Sequence, residues 1–428
     1  MEGIKAVISS STIVSPTDTT TPSSNQQPRP RRSHSARFPV NDVDSLVLPP
    51  RRTADHLVDL YFKYVHTLYP YLHEPSFRSQ YEKLWTHDSG HEDDPLFYCL
   101  LNLVLALGCQ FSTLFESSIH SGDTFFNRAK TLLGFSIFDV GTLQVVQALL
   151  LMGSYLQSTN RPNRCWNVLG MGIRVAQGLG LHIERSSGDL VERETRRRAW
   201  WGCVLMDRYF LSNFPTRHKP DYFRILAMLF GRPLMIHDQD AYLVHLPIAQ
   251  DDQYIMPTSI LPSAQPSKMT FYIATCQLYR ILGDILRELY SPRDDYRTMK
   301  EEEWLSKVSS IMRFDKELKD WLSSVPTFLQ WGSEEEVSED ILRQRNVLQV
   351  RMLNVRNLLY RPSLILLGRR DYAGDNGLDL STTLTCARFC VASAKDTIHL
   401  LHSTASRLTG AFWYNIFCIG CFGIHLTK

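Results

Sequence analysis

The first 98 residues contain no cysteine, and the nine that follow (Cys99, Cys109, Cys165, Cys203, Cys276, Cys386, Cys390, Cys418 and Cys421) are scattered among apolar residues. Such scatter excludes a disulfide scaffold and reads as buried free thiols in a reducing compartment. There is no Asn-x-Ser/Thr sequon either, in keeping with an intracellular life. An excess of one charge is also missing. Lys and Arg number 46 against 44 Asp and Glu, leaving +2, so bulk charge does not support nonspecific nucleic-acid binding. The opening MEGIKAVISSSTIVSPTD holds no sustained apolar core, which argues against a signal peptide. No apolar run reaches the length of a membrane span. Leu96–Phe111 is broken by Asn102 and Gln110, and Gly410–Ile424 by Asn415, so both read as core helices.

Signatures of catalysis are equally scarce. Gly-x4-Gly-Lys-Ser/Thr, His-Glu-x2-His and Gly-x-Ser-x-Gly are all absent. Gly170-x-Gly172 lacks the third glycine and the preceding strand of a dinucleotide loop. His182-Ile-Glu184 is not followed by the Pro-Cys-x2-Cys of a deaminase. Asp251-Asp252-Gln-Tyr-Ile does not complete an Asp-Asp-x2-Asp magnesium motif. Cys418-Ile-Gly-Cys421 needs a second pair to hold a metal, and Cys386 with Cys390 is the candidate; both lie in apolar helical context, so core thiols are the favoured reading. The loop His87–Pro95 carries histidines and aspartates without ligand spacing and reads as a flexible acidic loop. No cofactor is therefore expected in this chain.

What is present is helix. Hydrophobic residues make up 44% of 428, enough for one large or two ordinary domains with a real core. Residues 1–50, rich in Ser, Thr, Pro and Gln, read as a disordered tail. Within it RPRRSHSAR (Arg29–Arg37) is either a solvated basic tail or a nuclear-import patch. Apolar spacing predicts helices over Arg51–Leu68, Pro75–Trp85, Pro95–Phe115, Thr124–Leu133, Gly141–Gln157 and Arg161–Leu181. Gly170, Gly172, Gly178 and Gly180 weaken the last of these and imply a helix packed close to its backbone. His237–Pro266 is a long irregular crossing. Helices then return with two stripes at identical spacing, Phe271, Leu278, Leu282, Ile285, Leu289 and Ile341, Leu348, Met352, Val355, Leu359. Trp304–Trp321 and Leu380–Leu401 add two more. Ala411–Leu426 is apolar all round, as if the domain continued beyond it. The expected class is all-α, a large irregular helical bundle.

Glu192–Arg208, ERETRRRAWWGCVLMDR, is the densest concentration of residues that are costly to bury. Helical spacing sends Trp200 and Trp201 into a core and leaves Arg196, Arg197 and Arg198 as the solvent end. Asp207 and Arg208, a turn further on, fall in apolar surroundings and must be paired or capped. The arginines could touch phosphate, but pairing with Glu192, Glu194 or an acid elsewhere is favoured.

These blocks carry a resemblance. Trp166–Arg185 (WNVLGMGIRVAQGLGLHIER), Arg196–Arg208, Gly231–Ile236 (GRPLMI) and Leu57–Tyr81, in that order, resemble the regulatory domain of fungal zinc-cluster transcription factors, the all-helical middle homology region. The resemblance implies a domain over 51–428, with helical halves about 51–236 and 267–428 joined by 237–266. It marks Arg196, Arg197, Arg198, Trp200, Trp201, Asp207, Arg208, Gly231, Arg232 and Pro233 as structural motif residues. It also implies transcription regulation in the nucleus without catalysis, by binding partners and a small effector, and dimerisation with itself or a zinc-bearing relative. Zinc and base recognition belong in this family to an N-terminal six-cysteine cluster, and residues 1–98 offer no cysteine for it. DNA is then reached only indirectly or through a module missing here, and the transcription machinery is an expected partner. Tyr209–Arg224 departs from the family pattern, as a surface insertion or a translated intron. The competing readings are a helical enzyme or ligand-binding protein of a biosynthetic pathway, and a dominant-negative partner or co-regulator that dimerises with a zinc-cluster factor.

Overall fold

Apolar faces at helical spacing leave little choice of architecture, and the computed structural model realises it with twelve α-helices among the described residues. It describes residues 46–86, 94–112, 118–134, 141–159, 161–213, 234–291, 294, 296, 299–368 and 378–403. Outside these lie most of the N-terminal tail with its basic patch, the loop 87–93, the departure from 214 to 224, Gly231, Arg232 and Pro233, and the C-terminal stretch with Cys418 and Cys421. Among the described residues there is no strand, only an isolated bridge between Ile255 and Ile260.

Helix α1 (Arg51–Tyr61) buries Ala54, Leu57, Val58 and Tyr61. It does not run unbroken to Leu68 as the spacing predicts. It widens into a π turn, Phe62–His66, with Phe62, Val65 and His66 all buried. A π turn shifts the facing of later residues, and here it turns His66 inward. Pro75 sits in the first turn of α2 (Glu74–Lys83), as expected of a residue without an N–H to lose. Helix α3 (Pro95–Cys109) opens on Asp94, whose carboxylate accepts from the Leu96 N–H. It is buried almost throughout and is the central helix, although it stops at Cys109 rather than Phe115. Helix α4 (Ser118–Leu133) begins before the expected Thr124. Then come α5 (Leu143–Ser158), capped by Thr142, and α6 (Pro162–Gly178). Helix α7 (Leu190–Asn213) carries the arginine–tryptophan motif and continues past Arg208 into the departing stretch. Among the described residues no helix is long and apolar enough to cross a membrane.

The crossing is as irregular as its composition implies. It holds one helical turn, α8 (Asp238–Ala241), and a 3-10 turn at Asp252–Tyr254. Four long helices follow: α9 (Met269–Leu289), α10 (Glu301–Ser324), α11 (Glu339–Leu367) and α12 (Leu378–Ser403). Both repeated apolar stripes, on α9 and α11, are buried along their whole length. Helix α3 packs on α1, α4 and α5. Helix α7 packs on α5, α6 and α9, and α9 on α10 and α11, with α12 outside α11.

The glycine-rich helix α6 behaves only partly as expected. A Cβ on Gly172 would stand 3.3 Å from the Leu149 Cβ of α5, and one on Gly153 of α5 would stand 2.8 Å from Leu169 Cδ2. There the two helices do approach closely. Gly178 and Gly180 have nothing within 4 Å, and Gly180 has φ +65°. Gly180 is therefore a helix terminator in the left-handed region, not a packing glycine.

Candidate functional site

Helix α7 begins with Asp189 accepting from the Glu192 N–H at 2.6 Å, and its first turns hold the three arginines. They are not a solvent end, which corrects the expectation from spacing. Arg198 is 1% exposed, with Arg196 and Arg197 half-buried. Arg196 donates to the Leu179 carbonyl at 3.0 Å, closing the end of α6. Arg197 forks onto Glu184 at 2.7–3.2 Å. Arg198 donates Nε to Glu194 at 2.9 Å and Nη1 to Asp252. The pairing with Glu194 agrees with the sequence, whereas Glu192 instead pairs with Arg185.

Six polar groups of the motif, those of Glu194, Arg198, Trp200, Trp201, Asp207 and Arg208, reach the irregular crossing or the two residues just before it. Trp200 and Trp201 are buried, as expected, and their indole N–H groups donate to the carbonyls of Ala241 (3.2 Å) and His245 (3.0 Å). Glu184 and Glu194 accept the backbone N–H groups of His245 and Ile248, each at 3.1 Å. Asp207, fully buried, accepts from the N–H groups of Met235 and Ile236 at 3.1–3.3 Å. Arg208 donates to the Tyr242 hydroxyl at 3.1 Å, with its guanidinium 5.4 Å from that ring. A segment without secondary structure has backbone groups that must find partners elsewhere. Helix α7 supplies them, so the motif is a clasp on residues 235–252. His182-Ile-Glu184 belongs to it as well, with the His182 ring 5.7 Å from that of Trp200.

The hub of the clasp is Asp252. One carboxylate oxygen takes Arg198. The other accepts from His66 Nε2 at 3.1 Å and from the Glu74 N–H at 2.8 Å, and the Asp252 carbonyl lies 3.1 Å from His73 Nε2. Asp251 accepts on one oxygen from Ser267 Oγ (2.7 Å) and the Lys268 N–H (2.8 Å). The acid pair thus caps two helices, Asp252 at the start of α2 and Asp251 at the start of α9, where helix dipoles favour negative charge. Sequence reasoning considered this pair only as an incomplete magnesium motif. The usable signal was two adjacent acids in a segment too irregular to bury a charge by itself.

Burial by itself would raise the Asp252 carboxyl, but Arg198, His66 and the Glu74 N–H outweigh it and hold the group well below the usual carboxylate range. Burial works against the Arg198 charge as well, and Asp252 and Glu194 reverse it, raising that group. The sign for stability follows. A carboxylate lowered on folding contributes in full above its unfolded value, about 3.9, and loses that contribution as pH falls through the folded value. The expected result is that Asp252→Asn is less stable than the parent in urea at pH 7, and that the gap narrows below about pH 4. A gap independent of pH would show that the Asp252 charge is not what α7 holds.

Among the described residues no group of three or more His, Cys, Asp or Glu side chains is placed to hold a metal ion. The seven described cysteines are buried. Burial pushes the thiols of Cys99, Cys109 and Cys390 up to about 12, so they are poor ligands and nucleophiles. Cys386 and Cys390 are core thiols, as the sequence indicates.

Comparison with known proteins follows the same lines. The model of the fungal specific transcription factor domain matches residues 58–217 and 224–323. The break between the two falls inside the departing stretch Tyr209–Arg224. The transcription factor FBD3 of Fusarium pseudograminearum is 24% identical over 401 residues, covering 89% of this chain and 50% of that protein. The activator of stress genes 1 of Saccharomyces cerevisiae is 26% identical, over 90% of this chain and 39% of its own length. The lactose regulatory protein LAC9 of Kluyveromyces lactis is 32% identical over 45% of this chain and 21% of its own. The chain thus spans half or less of the length of these relatives. With the family model covering more than half of its residues, the chain belongs to the fungal specific transcription factor domain family.

Proposed function

We propose that this chain acts in the nucleus as the non-catalytic regulatory part of a fungal transcription factor. It works through protein partners, as a homodimer or joined to a zinc-cluster relative, and meets DNA through a zinc-cluster module that these residues do not supply. The observation that carries this reading is the collinear likeness to transcription factors over about nine-tenths of the chain. The clasp supports it. Glu184, Glu194, Arg197, Arg198 and Asp207 are engaged in internal bonds that hold the crossing, and a scaffold for contacts needs them there.

A fusion of the full chain to an unrelated sequence-specific DNA-binding module tests it. The fusion is expected to raise or lower a reporter carrying the matching site, relative to the module alone, and the chain without the module is expected to accumulate in the nucleus. A fusion that reaches the nucleus and leaves the reporter unchanged would overturn the reading.

A further inference from the structure

Helices α11 and α12 share a cavity of about 510 Å³, and each leaves a charge on it without a counterion. Helix α11 lines the space with Met352, Leu353 and Arg356, and α12 with Asp396 and Leu400. Residues one turn apart share a helix face, so these side chains converge. Leu322 of α10 and Trp331 complete the apolar lining. Met352 and Leu353 are buried, and Leu322, Trp331 and Leu400 half-buried. A mostly apolar hollow of this size with a few convergent polar groups is the usual make-up of a small-molecule site.

The two charges decide what fits. Arg356 is half-buried, and its neighbours one turn away on α11 are Met352, Leu353, Leu359 and Tyr360, none of them acidic. It meets the Tyr360 hydroxyl. That hydroxyl donates to Asp315, whose carboxylate is taken by Lys319 at 2.6 Å. Asp396 is exposed, with Ala392, Ser393, His399 and Leu400 one turn away. Among the described residues no acid stands within ion-pair distance of Arg356 and no base, His399 included, within that distance of Asp396. Nor do the two pair with each other. One cavity therefore presents a free cation and a free anion beside an apolar surface. A ligand that carries both opposite charges gains two charge-assisted bonds there, whereas a singly charged one gains only one.

We propose that this cavity binds a free α-amino acid with an aliphatic side chain. Its carboxylate accepts from Arg356, its ammonium donates to Asp396, and its side chain lies on Met352, Leu353 and Trp331. The proposal rests on the regulatory reading for its purpose and deepens it by naming an effector class. Helix α12 is packed on α11, and an occupant in contact with Leu322 adds a tie from α12 to α10.

Calorimetric titration of the full chain with L-leucine at constant ionic strength tests it. Three matched controls each lack one feature: 4-methylpentanoate the ammonium, 3-methylbutylamine the carboxylate, glycine the apolar body. Leucine is expected to bind, and each control at least about tenfold more weakly. Asp396→Asn and Arg356→Gln are each expected to weaken leucine at least about tenfold. A general loosening of the pocket would weaken every probe alike. Loss of one charge instead removes one preference: in Asp396→Asn leucine is expected to lose its advantage over 4-methylpentanoate, and in Arg356→Gln its advantage over 3-methylbutylamine. The exposure of Asp396 leaves the thermal midpoint of Asp396→Asn unchanged, and should Arg356→Gln unfold, Asp396→Asn decides alone. Absence of leucine binding, equal binding of any control, or preferences that survive the substitutions would each overturn the proposal. Because the readout is binding to purified protein, its failure is distinct from a silent reporter.

Discussion

Replacing Asp252 with alanine is expected to lower the unfolding free energy by about 3–5 kcal/mol, the range for stripping one partner from a buried ion pair. Arg198 and Glu194 are 1% and 2% exposed, so water cannot take the place of the lost carboxylate without opening the fold. Three donors lose their acceptor together: the Arg198 Nη1, His66 Nε2 and the N–H of Glu74. The start of α2 is uncapped in the same step. A reference variant fixes the scale. Arg51 and Glu82 are 2.6 Å apart on α1 and α2 but about half exposed, and Arg51→Ala is expected to cost no more than about 1 kcal/mol. Urea midpoints of the two variants at equal m-value make the comparison. A loss in Asp252→Ala no larger than in Arg51→Ala would mean that the buried network contributes nothing to holding the crossing.

How much of this was legible in the sequence depends on the distance between partners. The long helices were legible because their signal is local. The stripes Phe271–Leu289 and Ile341–Leu359 both step by seven, four, three and four residues, and every member is buried. Asp207 and Arg208 could be marked as needing partners from their apolar neighbours alone. What those partners would be could not be read, since Met235, Ile236 and Tyr242 lie 28, 29 and 34 residues further on. Arg198 was misplaced for the same reason. Helical geometry says which residues share a face, but whether that face is wet depends on what covers it, and its cover is Asp252, 54 residues away. The π turn after Tyr61 was invisible to a 3.6-residue period, yet it brings His66 to the hub. The likeness to a family named the motif residues, and the structure gives the reason for their chemistry. A crossing that makes few bonds of its own needs a helix with many donors and acceptors beside it.

Gly108→Ala is the second large effect, an expected loss of about 1–3 kcal/mol from overpacking, and it tests how α1 is seated on the central helix α3. A Cβ at Gly108 would stand 2.3 Å from the Leu57 carbonyl oxygen and 3.0 Å from its carbon. The neighbour is backbone within a helix, so no rotamer change relieves the clash and α1 must move as a unit. Leu57, Val58 and Tyr61 would lose close packing as it did, and His66 would be drawn from Asp252. Alanine's better helix propensity, worth up to about 1 kcal/mol, opposes the loss but does not match it. Gly202, in the middle of the motif, is a milder case, because the atom facing it at 2.5 Å is Tyr71 Cε1, on a side chain rather than a backbone. Gly178→Ala supplies the opposite sign. Nothing lies within 4 Å of a Cβ there, and its φ lies outside the left-handed region, so alanine is expected to stabilise by a few tenths to about 1 kcal/mol. Thermal or urea unfolding of Gly108→Ala and Gly178→Ala side by side decides the matter. If both variants are stabilised, then propensity rather than contact governs these positions, and α1 is not seated on α3 through Gly108.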